Sequence, residues 1–498
     1  MLRICHFRSA AAITVAASLS PSVAVAQATR PTLPVERITT AAASLTGIAP
    51  SSPTWSPTSH AVVFLWNEAG QSGRTLWVVD RAGSVPRRVL PAQNSAAVSD
   101  VLWSPDGMTL LFVQRGMIWR VSAQGGEPAA LTDTPGELSD LELSPDGTQF
   151  SFLRDGDLWL LPARGGELTR ATTVAMAPIG TVPLGTYFRR DVEIGGGTWS
   201  GPSPAYAWSP DSRTIAVHHV DRRGVKPFAM PYYLNDTSLM NTVRRGAPGA
   251  ANEVRTVALY NVATRALQPV PLPDSSSTRI VSFAWSSTGT LLIDRESDDA
   301  IDRRLFVLTP NAPTPRQIWR DTRDTRVYND IASTWSADGK SILLTGDLDD
   351  RYRVYRITPG DTTPVPLTSG PHDVTGAVIP RAATRSIDYV SSAPRPSERH
   401  VFRIGVTGGP PRQLTTRAGT HTPFVSPDGR TIALLSSSDI APPELYLLDT
   451  RAGATERRIT RSTPAAFADV PWVTPTYVTF PGRTSGVPLH ARILFPPN

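Results

Sequence analysis

The sequence predicts an all-β chain folded as an eight-bladed β-propeller. Three observations carry this reading: a turn motif that recurs along the chain, a near-constant spacing between its copies, and no sustained helical period. The motif is an apolar residue followed by Ser-Pro-Asp-Gly or a close variant. It stands at Trp55-Ser56-Pro57-Thr58, Trp103-Ser104-Pro105-Asp106-Gly107, Leu143-Ser144-Pro145-Asp146-Gly147 and Trp208-Ser209-Pro210-Asp211. It returns at Trp285-Ser286-Ser287-Thr288-Gly289, Trp335-Ser336-Ala337-Asp338-Gly339 and Val425-Ser426-Pro427-Asp428-Gly429. A degenerate copy between Ile379 and Arg385 completes a set of eight.

Each copy fits a type I turn, because Pro pre-sets φ at the second position and Gly suits the fourth. Short β-rich runs flank it, such as Thr214-Ile215-Ala216-Val217 after the turn and Leu158-Trp159-Leu160-Leu161 further on. Copies at Trp55, Trp103 and Leu143, and at Trp285 and Trp335, fall roughly 40–50 residues apart, the length of a four-stranded blade. A blade cannot bury both of its faces alone, so blades must pack around a closed ring. The recurrent Trp is then a packing residue between blades. The same role is expected of Trp159, Trp319 and Trp472.

Two intervals, Leu143 to Trp208 and Trp208 to Trp285, exceed a plain blade by roughly 20–30 residues. They carry insertions at Thr181 to Tyr206 and Val220 to Glu253. Inserted loops at the mouth of a propeller are where function concentrates.

The N-terminus reads as an export signal. Arg3 and Arg8 precede an apolar stretch from Ala10 to Leu19, and Ala24-Val25-Ala26 offers small residues for cleavage. The expected divisions are a signal peptide over 1–26, a propeller over 27–470 and a further segment over 471–498, in a periplasmic or secreted protein. No later stretch has the ~20 apolar residues of a membrane span. The single Cys, Cys5, lies inside the signal, which leaves no disulfide, thiol nucleophile or thiolate metal site in the mature chain. Basic residues barely outnumber acidic ones, 49 to 43, and no Arg run forms a phosphate track, so no nucleic-acid partner is expected. His218 and His219 are neighbours on a strand, face opposite sides, and read as structural. Asp298-Asp299 and Asp347-Leu348-Asp349-Asp350 lack calcium-loop spacing and read as solvated turns. No metal or cofactor is expected. Asn235-Asp236-Thr237 matches a glycosylation acceptor.

One stretch carries a family resemblance. Trp208-Ser209-Pro210-Asp211, His219-Val220-Asp221, Tyr232-Tyr233 and Gly246-x-Pro-Gly-x-x-Asn252 precede a strand over Val257 to Val262. This succession resembles the N-terminal propeller of dipeptidyl peptidase IV-type serine peptidases, in the prolyl oligopeptidase family. Ser436-Ser437-Ser438 with Pro442-Pro443-Glu444-Leu445 resembles the last blade of that propeller. Gly486 to Pro497 resembles the first strands of the family's α/β-hydrolase domain.

The resemblance implies a propeller that gates access of short, proline-containing peptides to a hydrolase domain expected after Asn498. That domain would supply a Ser nucleophile in a Gly-x-Ser-x-Gly elbow. No such elbow occurs here, since Gly197-Thr198-Trp199-Ser200-Gly201 has its Ser one place late. No catalytic residue is therefore named. The family's amino-terminus clamp is a pair of adjacent glutamates in this insertion, whereas this chain reads Arg189-Arg190-Asp191-Val192-Glu193 after Tyr187. Asp191 and Glu193 share one face if they lie on a strand. They could clamp an amine. Arg189 and Arg190 could receive a substrate carboxylate, or could pair with the two acids. Tyr187, Arg189, Arg190, Asp191 and Glu193 are the candidate substrate-binding residues. A homodimer is left open. The alternative is a stand-alone TolB-like periplasmic propeller that presents its mouth to protein partners.

Overall fold

The computed structural model describes residues 35–496, apart from 37–38, 40–44, 70–72, 95, 177–189, 196–202, 233–238, 245, 247–248, 274–277, 311, 313, 326–332, 362 and 484–486. The signal segment 1–26, Tyr187, Arg189, Tyr233, the Asn235 acceptor and Gly197 to Gly201 lie outside the described residues.

Eight antiparallel sheets follow one another along the chain, over residues 51–88, 99–130, 138–170, 192–269, 278–322, 334–366, 374–413 and 420–458. These are blades 1 to 8. Within a blade the strands pair in chain order. First strands of successive blades touch, and short fourth strands such as Ala129–Ala130 and Val365–Pro366 are exposed. The first strands therefore line the centre of the disc and the fourth strands its rim.

Second strands are buried on both faces, because a neighbouring blade covers each side. Ala61–Trp66 and Ile342–Gly346 are buried at every residue and read as apolar runs without alternation. The core is divided accordingly into eight apolar layers, one at each blade interface. The layer that closes the ring packs Phe64, Trp66 and Trp77 of blade 1 against Ala433, Leu445 and Leu447 of blade 8.

The motif does what its spacing implies, and adds a hydrogen bond. Trp103 Nε1 donates to the Thr54 carbonyl at 3.0 Å, Trp285 to Ala207 at 3.0 Å, Trp335 to Ala284 at 3.0 Å and Trp55 to Phe424 at 2.7 Å. Each acceptor is the residue just before the motif position of the preceding blade. Trp208 differs by donating to Ser151 Oγ at 2.7 Å. The turn itself is capped from within. The Ser104 hydroxyl donates to Asp106 at 2.6 Å and accepts from the Thr109 N–H at 2.9 Å, while the Gly107 N–H returns to the Ser104 carbonyl. Gly107 adopts φ +71°, the left-handed region that glycine enters without cost.

Two blades place Ser at that left-handed position, Ser59 and Ser212. Both use the hydroxyl between blades. Ser59 Oγ accepts from the Asp428 N–H at 3.1 Å, and Ser212 Oγ from the Asp146 N–H at 3.0 Å. The seam between blades 8 and 1 also carries an Arg81–Asp428 ion pair at 2.6 Å and a Trp66 to Ser462 hydrogen bond at 2.8 Å. Blade 8 is contiguous in sequence, so side chains rather than a shared sheet close the ring.

The degenerate eighth copy is the first turn of blade 7. Its strands Val374–Arg381 and Ser386–Ser391 pair Pro380 with Ile387, so Pro380 rather than Ile379 occupies the motif position. Trp319 packs between blades 5 and 6, and Trp159 against the layer between blades 2 and 3. Trp472 does not belong to a blade. It packs on Phe467 in the segment after blade 8, with ring centroids 4.8 Å apart.

An antiparallel blade puts its first and third turns on one face of the disc. Its second turn and the links between blades fall on the other face. Both insertions lie on that second face. So does a C-terminal hairpin, Thr476–Pro481 with Pro488–Ile493. The hairpin is anchored on the second turn of blade 8, where Tyr477 OH donates to both Asp439 oxygens at 2.9 and 2.8 Å and Arg492 pairs with Asp439 at 3.3 Å.

Candidate functional site

Blade 4 owes its shape to its long second strand, Thr214–Asp221. Two short strands share its inner edge. Tyr206–Trp208 pairs with Val217 to Ile215, and Val192–Ile194 pairs with Asp221 to His219. The first insertion therefore returns to the sheet as an extra inner strand. Val192 and Ile194 hold it there by burying their side chains to 3% and 1% exposure. The second insertion leaves the end of the same strand as the hairpin Pro227–Tyr232 with Leu239–Arg244. The strand Val254–Asn261 then resumes the blade. Gly246 and Asn252 of the resemblance motif meet at the neck of this hairpin. A Cβ on Gly246 would collide with the Asn252 carboxamide, which donates to Asp298 at 3.0 Å.

Strand alternation puts Asp191 and Glu193 on the side away from buried Val192 and Ile194. Each carboxylate is taken by an arginine of the second insertion. Arg222 is 2% exposed at its side chain and is the hub. Its Nη1 donates to Glu193 Oε1 at 2.8 Å and to the Arg190 carbonyl at 2.7 Å, and its Nε donates to Glu253 Oε2 at 2.6 Å. Arg255 also pairs with Glu253. Arg244 Nε donates to Asp191 at 2.9 Å and its Nη1 to the Val225 carbonyl at 2.7 Å.

Burial would raise the Glu253 carboxyl, but Arg255 and Arg222 outweigh it and hold that group below the usual carboxylate range. Burial likewise opposes the charge on Arg222, and Glu193 and Glu253 reverse the effect. The lattice joins both insertions to the blade through paired charges.

The nominated residues thus divide. Asp191 and Glu193 come together on one side, as expected for a strand. Among the described residues their partners are Arg244 and Arg222, not Arg190. Arg190 points the other way, to Glu137 and Asp155 of blade 3, each at 3.6 Å. Among the described residues each of the two acids is held by an arginine through one carboxylate oxygen. Arg222, Arg244, Glu253 and Arg255 were not singled out by sequence. Their only signal is that charges cluster at the two necks of the second insertion, Asp221-Arg222-Arg223 and Glu253-Val254-Arg255.

His218 and His219 face opposite sides, as their adjacency requires. His218 is fully buried against Phe283, with Ser203 Oγ at 3.2 Å from Nδ1. Burial first, and Arg255 second, push its imidazole down to about 3, so it is neutral. In the 347–350 turn Asp347 pairs with Arg323 at 2.9 Å and Asp349 with Arg353 at 2.6 Å, while Asp298 accepts from Asn252 and Asp299 from Ser297. Between blades 3 and 4, Glu142 is pushed up to about 7, by burial first and by Asp140 second. Beside it the Tyr206 hydroxyl donates to the Asp140 carbonyl. No helix among the described residues is long and apolar enough to cross a membrane.

Comparison with known proteins gives this geometry a context. The dipeptidyl peptidase IV (DPP IV) N-terminal region matches residues 201–443, which include the second insertion and its necks. The chain is 23% identical over 282 residues to a probable dipeptidyl-aminopeptidase B of Aspergillus terreus, covering 50% of this chain and 30% of that protein. It is 22% identical over 268 residues to a probable dipeptidyl peptidase 4 of Aspergillus flavus, covering 49% and 34%. The chain thus matches about a third of the length of these curated relatives. The crystal structure of Porphyromonas gingivalis dipeptidyl peptidase 4 superposes with a TM-score of 0.76 at 19% identity, over 93% of this chain and 67% of that one. The eight-bladed propeller described here is therefore homologous to the dipeptidyl peptidase IV N-terminal region.

Proposed function

We propose that this chain is the substrate-gating propeller of an exported serine peptidase of the dipeptidyl peptidase IV and prolyl oligopeptidase type, acting on short peptides. The observation that carries the reading is the placement of both blade-4 insertions and the C-terminal hairpin on one face of a propeller homologous to that family's. A hydrolase domain continuing from the hairpin would pack against this face. The hairpin suits such a role, because Phe480 and Leu489 are each 48% exposed on a ribbon that pairs with no blade. Tyr187, Arg189 and Arg190 would meet the peptide. Asp191 and Glu193, already held by Arg244 and Arg222, would hold the insertion in place. In this reading the segment 1–26 directs export and is removed.

Hydrolysis of Ala-Pro-p-nitroanilide and its N-acetylated form by the full-length native protein tests the activity. Cleavage of at least one, blocked by a serine-directed inhibitor, is expected. Cleavage of neither would contradict the reading. Amino-terminal sequencing of the protein from its own cells should begin near Gln27, and an intact Met1 would contradict export by cleavage.

A further inference from the structure

The first turn of blade 7 departs from the others and borders a cleft. In blades 2, 3, 6 and 8 the fourth residue after the motif position nests against the preceding blade's turn, whereas in blade 5 Gly289 meets only Pro310 of its own blade. A Cβ on Gly147 would stand 3.1 Å from Pro105, and one on Gly339 2.6 Å from Ser287. In blade 7 that residue is Thr384, yet the left-handed residue is Arg385, at φ +47°. The turn hydrogen bond runs from the Arg385 N–H to the Ala382 carbonyl at 3.2 Å. The turn is therefore shifted one residue along the chain.

A cleft of about 390 Å³ lies between this turn and blade 6. Its apolar floor includes Leu343 and Ile387, which face each other across the blade 6–7 layer, with Val406 beside them. Two guanidinium-bearing residues line it from opposite sides: Arg356, on the third strand of blade 6, and Arg385, on the turn of blade 7. Neither has an ion pair or side-chain hydrogen bond to another described residue. Arg381 also lines the cleft, but its guanidinium reaches away to the Pro427 carbonyl at 2.9 Å in blade 8. The one carboxylate present, Asp338, is engaged in its own turn by the Ser336 hydroxyl at 2.6 Å and the Lys340 N–H at 3.1 Å.

The corresponding cleft between blades 4 and 5 is similar in size, about 440 Å³. Asp211, Trp285 and Pro310 line it, and no cationic side chain does. An apolar cavity in this size range with a few converging charges is the usual form of a small-molecule site. Two unpaired guanidiniums select planar or tetrahedral oxyanions.

We infer that the blade 6–7 cleft binds a small organic oxyanion on an apolar body, a carboxylate or a phosphate monoester, with Arg356 and Arg385 on the anion and Leu343, Ile387 and Val406 on the apolar part. The cleft lies on the face formed by first and third turns, opposite the insertions, so the inference does not depend on the peptidase reading.

Calorimetric titration of the full chain with 4-phenylbutyrate, 4-phenylbutanamide, phenyl phosphate and inorganic phosphate tests it. An oxyanion with a phenyl body should bind about tenfold or more tighter than both the amide and inorganic phosphate. Whichever of phenylbutyrate and phenyl phosphate binds better identifies the class. Arg356→Gln and Arg385→Gln should each weaken that binding about fivefold or more, with melting temperatures unchanged because both side chains stand at the cleft rim. Arg451→Gln, elsewhere on the same face, should leave it unaltered. Equal binding of acid and amide, unchanged affinity in both cleft variants, or no binding of either phenyl anion would overturn the assignment.

Discussion

Arg222 and Glu193 form an ion pair at 2.8 Å that ties the second blade-4 insertion to the first, with the guanidinium 2% exposed. A second carboxylate, Glu253, completes the pairing at 2.6 Å. Removing the arginine leaves the partly buried Glu193 carboxylate without its cation and Glu253 with Arg255 alone, whereas removing the Glu193 charge leaves the arginine its other partner. Arg222→Met should therefore destabilise the protein by about 3 kcal/mol, and Glu193→Gln by roughly 1 kcal/mol. Thermal melts of both variants check the order. Equal melting temperatures would contradict the hub role.

The indole ladder gives a second expectation. Trp335 is 6% exposed and donates to the Ala284 carbonyl of blade 5. Trp335→Phe keeps an aromatic ring in the layer but leaves that carbonyl without its donor, for an expected loss of about 1–2 kcal/mol. Trp335→Ala adds a cavity between blades and should cost roughly 3–5 kcal/mol. Denaturant unfolding of the two variants measures the difference.

Glu142 makes stability fall as pH rises. Its carboxyl is pushed up to about 7 in the folded protein from 4.5. The folded state therefore holds a proton that the unfolded state releases. The associated stability is fully present below pH 4.5 and is lost as pH rises through 7. Glu142→Gln should match the native protein at pH 4.5 and exceed it by roughly 2–3 kcal/mol at pH 8. Melting curves at the two pH values check this, and a variant less stable than the native protein at pH 8 would contradict it.

The seam behaves in the opposite sense. Burial would raise the Asp428 carboxyl, but hydrogen bonds from Ser426 and Arg430 and the pair with Arg81 bring it down to about 2 from 3.8. The stability it contributes is present above pH 3.8 and is lost as pH falls through 2. Asp428→Asn should be less stable than the native protein by roughly 1 kcal/mol at pH 6, because the pair is about a third exposed. At pH 2 the difference should vanish. Melting temperatures at pH 6 and pH 2 measure both ends.

The propeller was legible in the sequence because its turn needs particular residues. Ser104, Pro105, Asp106 and Gly107 each meet a backbone requirement, and those requirements repeat with every blade. Blade 7 was harder to place. Pro380 stands in the motif position and the turn is shifted to Arg385, so register rather than residue type defines it. The charge lattice of blade 4 was only half legible. Asp191 and Glu193 could be assigned to one face by strand alternation. Their partners Arg244 and Arg222 lie some 30 to 50 positions along the chain, at the necks of a hairpin whose fold-back no local pattern marks. The Trp indole hydrogen bonds were invisible for the same reason, since the acceptors are backbone carbonyls of another blade.

The central claim is that this propeller serves a serine hydrolase. Its most direct test is labelling of the native protein, isolated from its own cells by an antibody to the propeller, with a fluorophosphonate probe. Covalent labelling of the captured polypeptide, or of a stoichiometric hydrolase bound to it, is expected. An active-site-competent preparation in which neither takes up the probe would contradict the account and favour a propeller that acts by binding alone.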